Sequence, residues 1–313
     1  MRMRRPLELL SVGNIVADFP VGPLPGLPGW GALAAVPNRI EPRIGGNGAI
    51  FAVAAARLGM SCTLAGRVGR DLLGDWLMGR LEREGVDTGL VRRGAGGTSS
   101  TIALVREGGE RAFLHYLGAS ASLVAGDLRA LPRCRWLHFS SMFLLPKLGP
   151  GAISRGLLAA KKGGARTSLD VAWDAKGKWD LGRCLEHADY FLANLDEASA
   201  ITGERNLFDI SRHLVGMGAQ NTVIKLGAGG SFVSGEGCGG FEAPPFNVEP
   251  VDATGAGDVF DAALVWALSR GMELRKAALL ANAAGALKVL SVGGTAGAPT
   301  APELLEFIRA RRK

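Results

Sequence analysis

Cysteine, histidine and tyrosine are scarce in this 313-residue chain, with four, four and two copies, and the scarcity excludes several kinds of protein. Cys62, Cys134, Cys184 and Cys238 stand apart with no Cys-x-x-Cys pair, which argues against zinc and thioredoxin-like chemistry. Unclustered cysteines suit a reducing compartment. His115, His138, His187 and His213 are dispersed; only His115, in a hairpin, is placed to touch a substrate, and packing is the plainer role. No run is long and apolar enough for a membrane span. Met1–Arg5 is basic, but Leu7–Val12 is short and contains Glu8, so it reads as a first strand rather than a signal peptide. A cytoplasmic location is expected. No basic stripe interleaved with aromatics appears, so nucleic acid is not an expected partner. No Gly-x-x-x-x-Gly-Lys-Ser/Thr string occurs, and no Gly-x-Gly-x-x-Gly opens a helix after the first strand. P-loop and nicotinamide chemistry therefore find no support.

Glycine is abundant, at 46 residues, clustered between apolar runs and without a Gly-X-Y period. That suits strand-to-helix turns that approach a ligand closely. Hydrophobic residues make up 47%, enough for a sizeable core. The formal charge of +7 has two readings: a basic surface with the basic tail Arg309–Lys313, or a field favouring anionic ligands such as nucleotides.

Apolar strand patterns are expected near 7–12, 61–68, 136–140, 166–171, 189–193, 222–226 and 231–234. Helical patterns are expected near 47–58, 71–84, 151–162, 196–202, 207–217, 258–270, 274–290 and 302–311. Alternation of this kind predicts a single α/β domain over 1–313 with a mainly parallel sheet covered by helices on both faces. Two stretches differ. Residues 14–44 are rich in Gly and Pro and read as loop or short strands. Ser99–Val105 and Arg111–Tyr116, separated by Glu107-Gly108-Gly109-Glu110, read as a hairpin. These stretches, within about 14–44 and 96–120, are expected to form a small β lid. Exposed lid edges could pair with a second chain as a homodimer.

Chemistry concentrates in Asp252-Ala253-Thr254-Gly255-Ala256-Gly257-Asp258, at the start of a helical pattern. Unpaired N–H groups and the positive dipole end of a helix favour an anion there. Gly255, Ala256 and Gly257 are small enough to let it approach, and a transferring phosphoryl group is such an anion. Asp258, beside that hole, could accept the proton of an attacking hydroxyl. The competing reading is an N-terminal helix cap.

The string resembles the C-terminal signature of the ribokinase-like (phosphofructokinase-B type) carbohydrate kinases. Four more segments resemble that family in its order: Gly45-Gly46-Asn47-Gly48-Ala49, Gly66-Arg67-Val68-Gly69-Arg70-Asp71, Asn194-Leu195-Asp196-Glu197 and Lys225-Leu226-Gly227-Ala228-Gly229-Gly230. The resemblance implies a three-layer sandwich with a small β-sheet lid, and transfer of phosphate from ATP to a hydroxyl. It implies Asp258 as base and Gly255, Ala256 and Gly257 as the anion hole. Asp18, Gly46 and Asn47 would bind substrate; the alternatives are a solvated loop acid for Asp18 and a helix N-cap for Asn47. Asn194, Lys225, Gly227, Gly229, Gly257 and Asn282 would face the nucleotide. Lys225 also reads as a strand-end surface lysine, and Asn282 as a helix–helix hydrogen bond. Glu197 would hold Mg²⁺ through water. Asp252, Thr254 and carbonyls of the loop after Val289 would form a K⁺ site.

Three departures bear on substrate. Ile50 stands where the family has Asn, Asn47 where ribokinases tend to carry Lys, and Asp170-Val171-Ala172 where the family has Asp-x-Asn. They leave the transfer machinery intact and put ribose specificity in doubt. Trp173 and Trp179 could cover a pocket or simply pack. A pentose or hexose is the first expectation and a nucleoside the second. A non-catalytic ligand-binding protein on the same fold is the alternative from another class, although a binding module has no need of the base.

Overall fold

The computed structural model describes residues 7–107, 111–129, 131–235 and 238–311, apart from the side chain of Cys238. The expected hairpin connection at 108–110, the first six residues and the last two of the basic tail lie outside them. In chain order the elements begin β1 (Leu7–Val12), β2 (Val16–Leu24), β3 (Arg43–Gly45), α1 (Asn47–Arg57), β4 (Cys62–Val68), α2 (Leu72–Arg83) and β5 (Asp87–Arg93). They continue with β6 (Ser100–Arg106), β7 (Arg111–Tyr116), α3 (Ala125–Arg129), β8 (Cys134–Phe139), α4 (Gly149–Lys162), β9 (Arg166–Asp170), β10 (Tyr190–Asn194) and α5 (Leu195–Thr202). The last are α6 (Leu207–Gly216), β11 (Asn221–Lys225), β12 (Ser231–Gly235), β13 (Cys238–Ala243), α7 (Ala256–Ser269), α8 (Leu274–Lys288) and α9 (Ala301–Arg311).

Nine strands form one sheet in the order β13-β12-β11-β10-β9-β8-β1-β4-β5. Every pairing from β11 to β5 is parallel; β12 and β13 add an antiparallel margin. Neighbouring residues on its strands enter different cores. Leu9, Trp136, Leu192 and Val223 join the cluster containing α1, α7 and α8. Leu10, Leu137, Phe191 and Ile224 join the one containing α4 and α6. Side chains alternate across a strand, so the two clusters are the two faces of the sheet, each roofed by helices. This is the expected three-layer α/β sandwich. Among the described residues no helix is long and apolar enough to cross a membrane.

A separate four-stranded sheet has the order β3-β2-β6-β7. The 14–44 stretch is thus both strand and loop: β2 and β3 pair, and residues between them stand in solvent, with Trp30 and Leu33 fully exposed. Strand order reverses between β1 and β8, whose carboxyl ends are tied where Ser141 Oγ donates to Asn14 Oδ1 at 2.8 Å. A crevice outside such a switch point is where open α/β sheets bind ligands.

Candidate active site

The first turn of α7 is set by Gly255, which has φ +78 and caps the helix with no side-chain partner. A Cβ there would lie 2.6 Å from the Gly294 carbonyl oxygen and 3.1 Å from Ile50 Cγ2. The turn therefore requires glycine, and Ile50, the departure from the Asn of the resembling signature, packs against it with hydrocarbon. Asp258 is the third residue of the helix and does not cap it, which corrects the capping alternative. It is buried, and the Asn47 side chain donates to it. Asn47 does not cap α1 either; Gly46 does, at φ 85. Burial first, then the charges of Asp170 and Glu197, push the Asp258 carboxyl well above the usual carboxylate range, against the pull of Lys225 and Asn47.

Lys225, at the end of β11, is no surface lysine. Its Nζ lies 2.5 Å from Asp170, the last residue of β9, and 3.1 Å from Asp261, one turn beyond Asp258. Burial opposes its charge, but Asp170, Asp261 and Glu197 outweigh burial and hold the ammonium above its ordinary pKa. Lys225 keeps Asp170 ionised, below the usual range despite burial. Burial first, then the charge of Asp170, lifts Asp261 well above that range, against the pull of Lys225. Asp261 was not anticipated. Its signal was the spacing of three from Asp258, which puts both acids on one face of an otherwise apolar helix.

Asn194 and Glu197 form a reciprocal capping box on α5: the Asn194 side chain accepts from Glu197 N at 2.8 Å, and Glu197 Oε2 from Asn194 N at 2.9 Å. Asn194 is paired in register with Lys225. Among the described residues no hydrogen bond reaches Glu197 Oε1. Burial and Asp170 raise the Glu197 carboxyl, and no group of three metal-binding side chains occurs among the described residues.

Two cavities meet at residues 250–254. The larger, about 370 Å³, is walled by Lys225, Gly227, Gly257, Phe246, Val248, Phe260, Asn282 and Val289. Asn282 spends its amide on Ala243 and Pro244 carbonyls, 3.0 Å each, rather than on another helix. Gly229 and Asn194 are not in its wall; Gly230 is. The smaller, about 80 Å³, is lined by Asp18, Thr101, Arg43, Arg111, Asp252 and Thr254 among others. Burial pushes the Asp18 carboxyl up to about 6, against the Thr101 hydrogen bond. Asp18 is therefore not a solvated acid. Gly46, Asn47 and Asp258 do not line this cavity as it stands. His115 is exposed and bonds Thr101 at 2.9 Å through Nδ1. Trp173 and Trp179 pack edge to face.

The expected potassium ligands are already engaged. The Asp252 carboxylate accepts from Thr254 N and Gly293 N at 2.7 Å each and pairs with Arg111 at 2.5 Å. The same Arg111 nitrogen donates to Thr254 Oγ1 at 2.7 Å. Lys288 Nζ donates to the Asp252 carbonyl at 3.0 Å and the Ser291 carbonyl at 3.1 Å. Arg111, Arg43 and Lys288 escaped sequence reading because nothing local links them to residues 252–254.

The sequence model of the pfkB family of carbohydrate kinases matches residues 11–301. The chain belongs to that family. It is 31% identical to the aminoimidazole riboside kinase of Salmonella typhimurium, over 84% of this chain and 87% of that one. It is 29% identical to the ribokinase of Bacillus subtilis, with the same coverage, and 28% identical to fructokinase-1 of Oryza sativa subsp. japonica, over 96% and 98%. The fold matches that of Arabidopsis thaliana ribokinase complexed with ribose and ATP, with TM-score 0.83 and 23% identity over 97% and 99% of the chains. It also matches an E. coli chain solved in complex with ATP and Mg²⁺, at 0.82 and 24% over 97% and 100%. This pfkB-family chain is accordingly a sugar or nucleoside kinase.

Proposed function

We propose that the protein transfers the γ-phosphoryl group of ATP to a hydroxyl of a small sugar, with Asp258 as the base. The observation that carries the reading is a buried carboxyl, with no salt bridge among the described residues, at the third position of a glycine-entered helix and next in sequence to Gly257, which walls the larger cavity. Asp258 takes the hydroxyl proton as the oxygen attacks phosphorus and the bond to ADP breaks. The N–H groups of Gly255 and Gly257 meet the charge on the transferring oxygens, while the Ala256 N–H donates to the Ala253 carbonyl at 3.2 Å and holds the turn.

The larger cavity suits ATP, and support comes from its composition. Phe246, Val248 and Phe260 offer an apolar wall for a base, while Gly227, Gly257 and Lys225 offer close backbone approach and positive charge. Gly229 and Asn194 act from behind that wall, shaping the turn and the helix cap. Magnesium would supply charge neutralisation at the phosphates. Glu197 suits it, because magnesium keeps several waters and needs few direct protein ligands, and its Oε1 is free of other described bonds. The smaller cavity suits a polyol: Asp18 accepts, Arg43 and Arg111 donate, and Asn47 does both from the Asp258 side. The strands β2, β3, β6 and β7 act as a lid that excludes water.

A riboside is the second reading, favoured by the 31%-identical aminoimidazole riboside kinase. The test is Mg²⁺- and ATP-dependent ADP release across a panel of pentoses, hexoses and nucleosides, with Asp258→Asn as control. Turnover with one class, absent in the control, names the substrate class. ATP binding without turnover on any member favours a ligand-binding protein.

A further inference from the structure

The loop that delivers Asp252 to Gly255 into the anion hole is held by a buried ammonium. Lys288, the last residue of α8, is 0% exposed. Its Nζ touches two backbone carbonyls, Asp252 from the loop before α7 and Ser291 from the loop after α8. Val251 N and Asp252 N both donate to the Val289 carbonyl, at 2.7 and 3.0 Å, and Gly293 N donates to the Asp252 carboxylate. The ammonium thus sits where the 251–254 and 289–293 segments are stitched together.

An alkyl ammonium has the charge of potassium and a similar size, and carbonyl oxygens solvate either. A buried charge without such partners would be expensive, so its carbonyl contacts and the nearby Asp252 carboxylate are what make Lys288 tolerable there. The charge sum is equally telling. Asp252 and the neighbouring Asp18 contribute two negative charges; Arg43, Arg111 and Lys288 contribute three positive ones. The site is already net positive, and a further cation would meet repulsion at close range in a poorly screened interior. These residues do not fit a potassium ion.

We propose that Lys288 is a built-in monovalent cation, replacing an exchangeable potassium ion in fixing the anion-hole loop, so that the protein works without potassium. Lys288 is a positioning residue, acting on Gly255–Asp258 through the Asp252 carbonyl. The proposal rests on loop geometry, and its thermal readout is independent of the kinase reading.

The test is thermal unfolding of the full chain in KCl, NaCl and choline chloride at equal ionic strength. Wild type is expected to melt at the same temperature in all three. Lys288→Ala, which empties the ammonium position and leaves the carbonyls, is expected to melt lower in choline and to recover in KCl more than in NaCl. Its ADP release with a panel sugar that wild type phosphorylates is expected to fall at least ~10-fold in choline and to be restored by KCl, as mass action on a native-state site requires. Lys288→Gln is expected to show a weaker form of the same response. If Lys288→Ala folds only in KCl, the proposal stands. A potassium-specific rise in the wild-type Tm overturns it, as does a folded Lys288→Ala indifferent to the choice of cation. If neither variant folds in any salt, a wild-type Tm that is the same in all three salts supports the proposal.

Discussion

Burying Asp258 near Asp170 and Glu197 disfavours its charged form, yet the proposed base must be charged to act. The sign of the consequence follows from linkage. A carboxyl whose folded pKa is raised gives stability below its unfolded pKa and loses it as pH rises through the folded one. At pH 8, above its unfolded pKa, the buried carboxyl is therefore a stability cost. Asp258→Asn is expected to melt higher than wild type at pH 8, with the gain shrinking towards pH 4, while turnover falls by on the order of 10³-fold. Calorimetry at the two pH values and ADP release check both. A lower Tm at pH 8 would mean that the carboxylate is a structural partner. Asp18 yields a second residue-scale expectation. Its carboxyl is pushed up to about 6, so it is ionised above that pH and protonated below. The KM for sugar is expected to rise as pH falls through about 6. Asp18→Asn is expected to have a raised, pH-flat KM. An unchanged pH profile in that variant would remove Asp18 from the substrate site.

At the scale of elements, the turn into α7 is the most constrained feature. Gly255→Ala would put a Cβ on a left-handed residue, at about 1–2 kcal/mol, and against the Gly294 carbonyl as well. Several degrees of lost Tm and a larger loss of turnover are expected, because the shift moves the N–H groups themselves. Wild-type turnover in Gly255→Ala would show that the proposed anion hole tolerates displacement. That turn was legible in the sequence because its chemistry is local: a glycine pair, small residues and an acid in one run. Long apolar strands and amphipathic helices were legible for the same reason. β5 and β13 were not. Asp87–Arg93, at a sheet margin, has only the adjacent pair Leu90-Val91 as large apolar residues and contains Gly89, and Cys238–Ala243 contains two glycines. β2 was obscured by Pro20, Gly22 and Pro23, which weaken any strand pattern. At the candidate site, Asp258 and the glycines stood out in the sequence because they form one local run. Asp261, Arg111 and Lys288 did not, because their partners lie 36, 143 and 36 residues away.

For the whole molecule, the question is how a separate small sheet is coupled to the large one. Ala17 of β2 and Ile44 of β3 join the core beneath α1, and two arginines add polar links. Arg43, on β3, donates to the Val292 carbonyl; Arg111, on β7, reaches Thr254 and Asp252. Both therefore grip the segments that Lys288 stitches together on their other side. Arg43 and Arg111 also line the smaller cavity, so seating of the small sheet and shape of the proposed sugar site are one variable. Arg111 is mostly buried, and its loss leaves the Asp252 carboxylate with only two N–H partners and the more distant charge of Lys288. Removing one member of such a pair is costly mainly because the other stays buried. Arg111→Met keeps the apolar stem and deletes the charge. It is expected to raise the sugar KM about 10-fold or more, corresponding to at least 1.4 kcal/mol, with the ATP KM changed much less. The split between the two constants is the diagnostic reading. The larger cavity shares the 250–254 loop but receives no arginine from the small sheet. Equal increases in both constants would mean that Arg111 supports the whole loop rather than the sugar side. Unchanged constants would mean that the small sheet seats itself without the Arg111 latch.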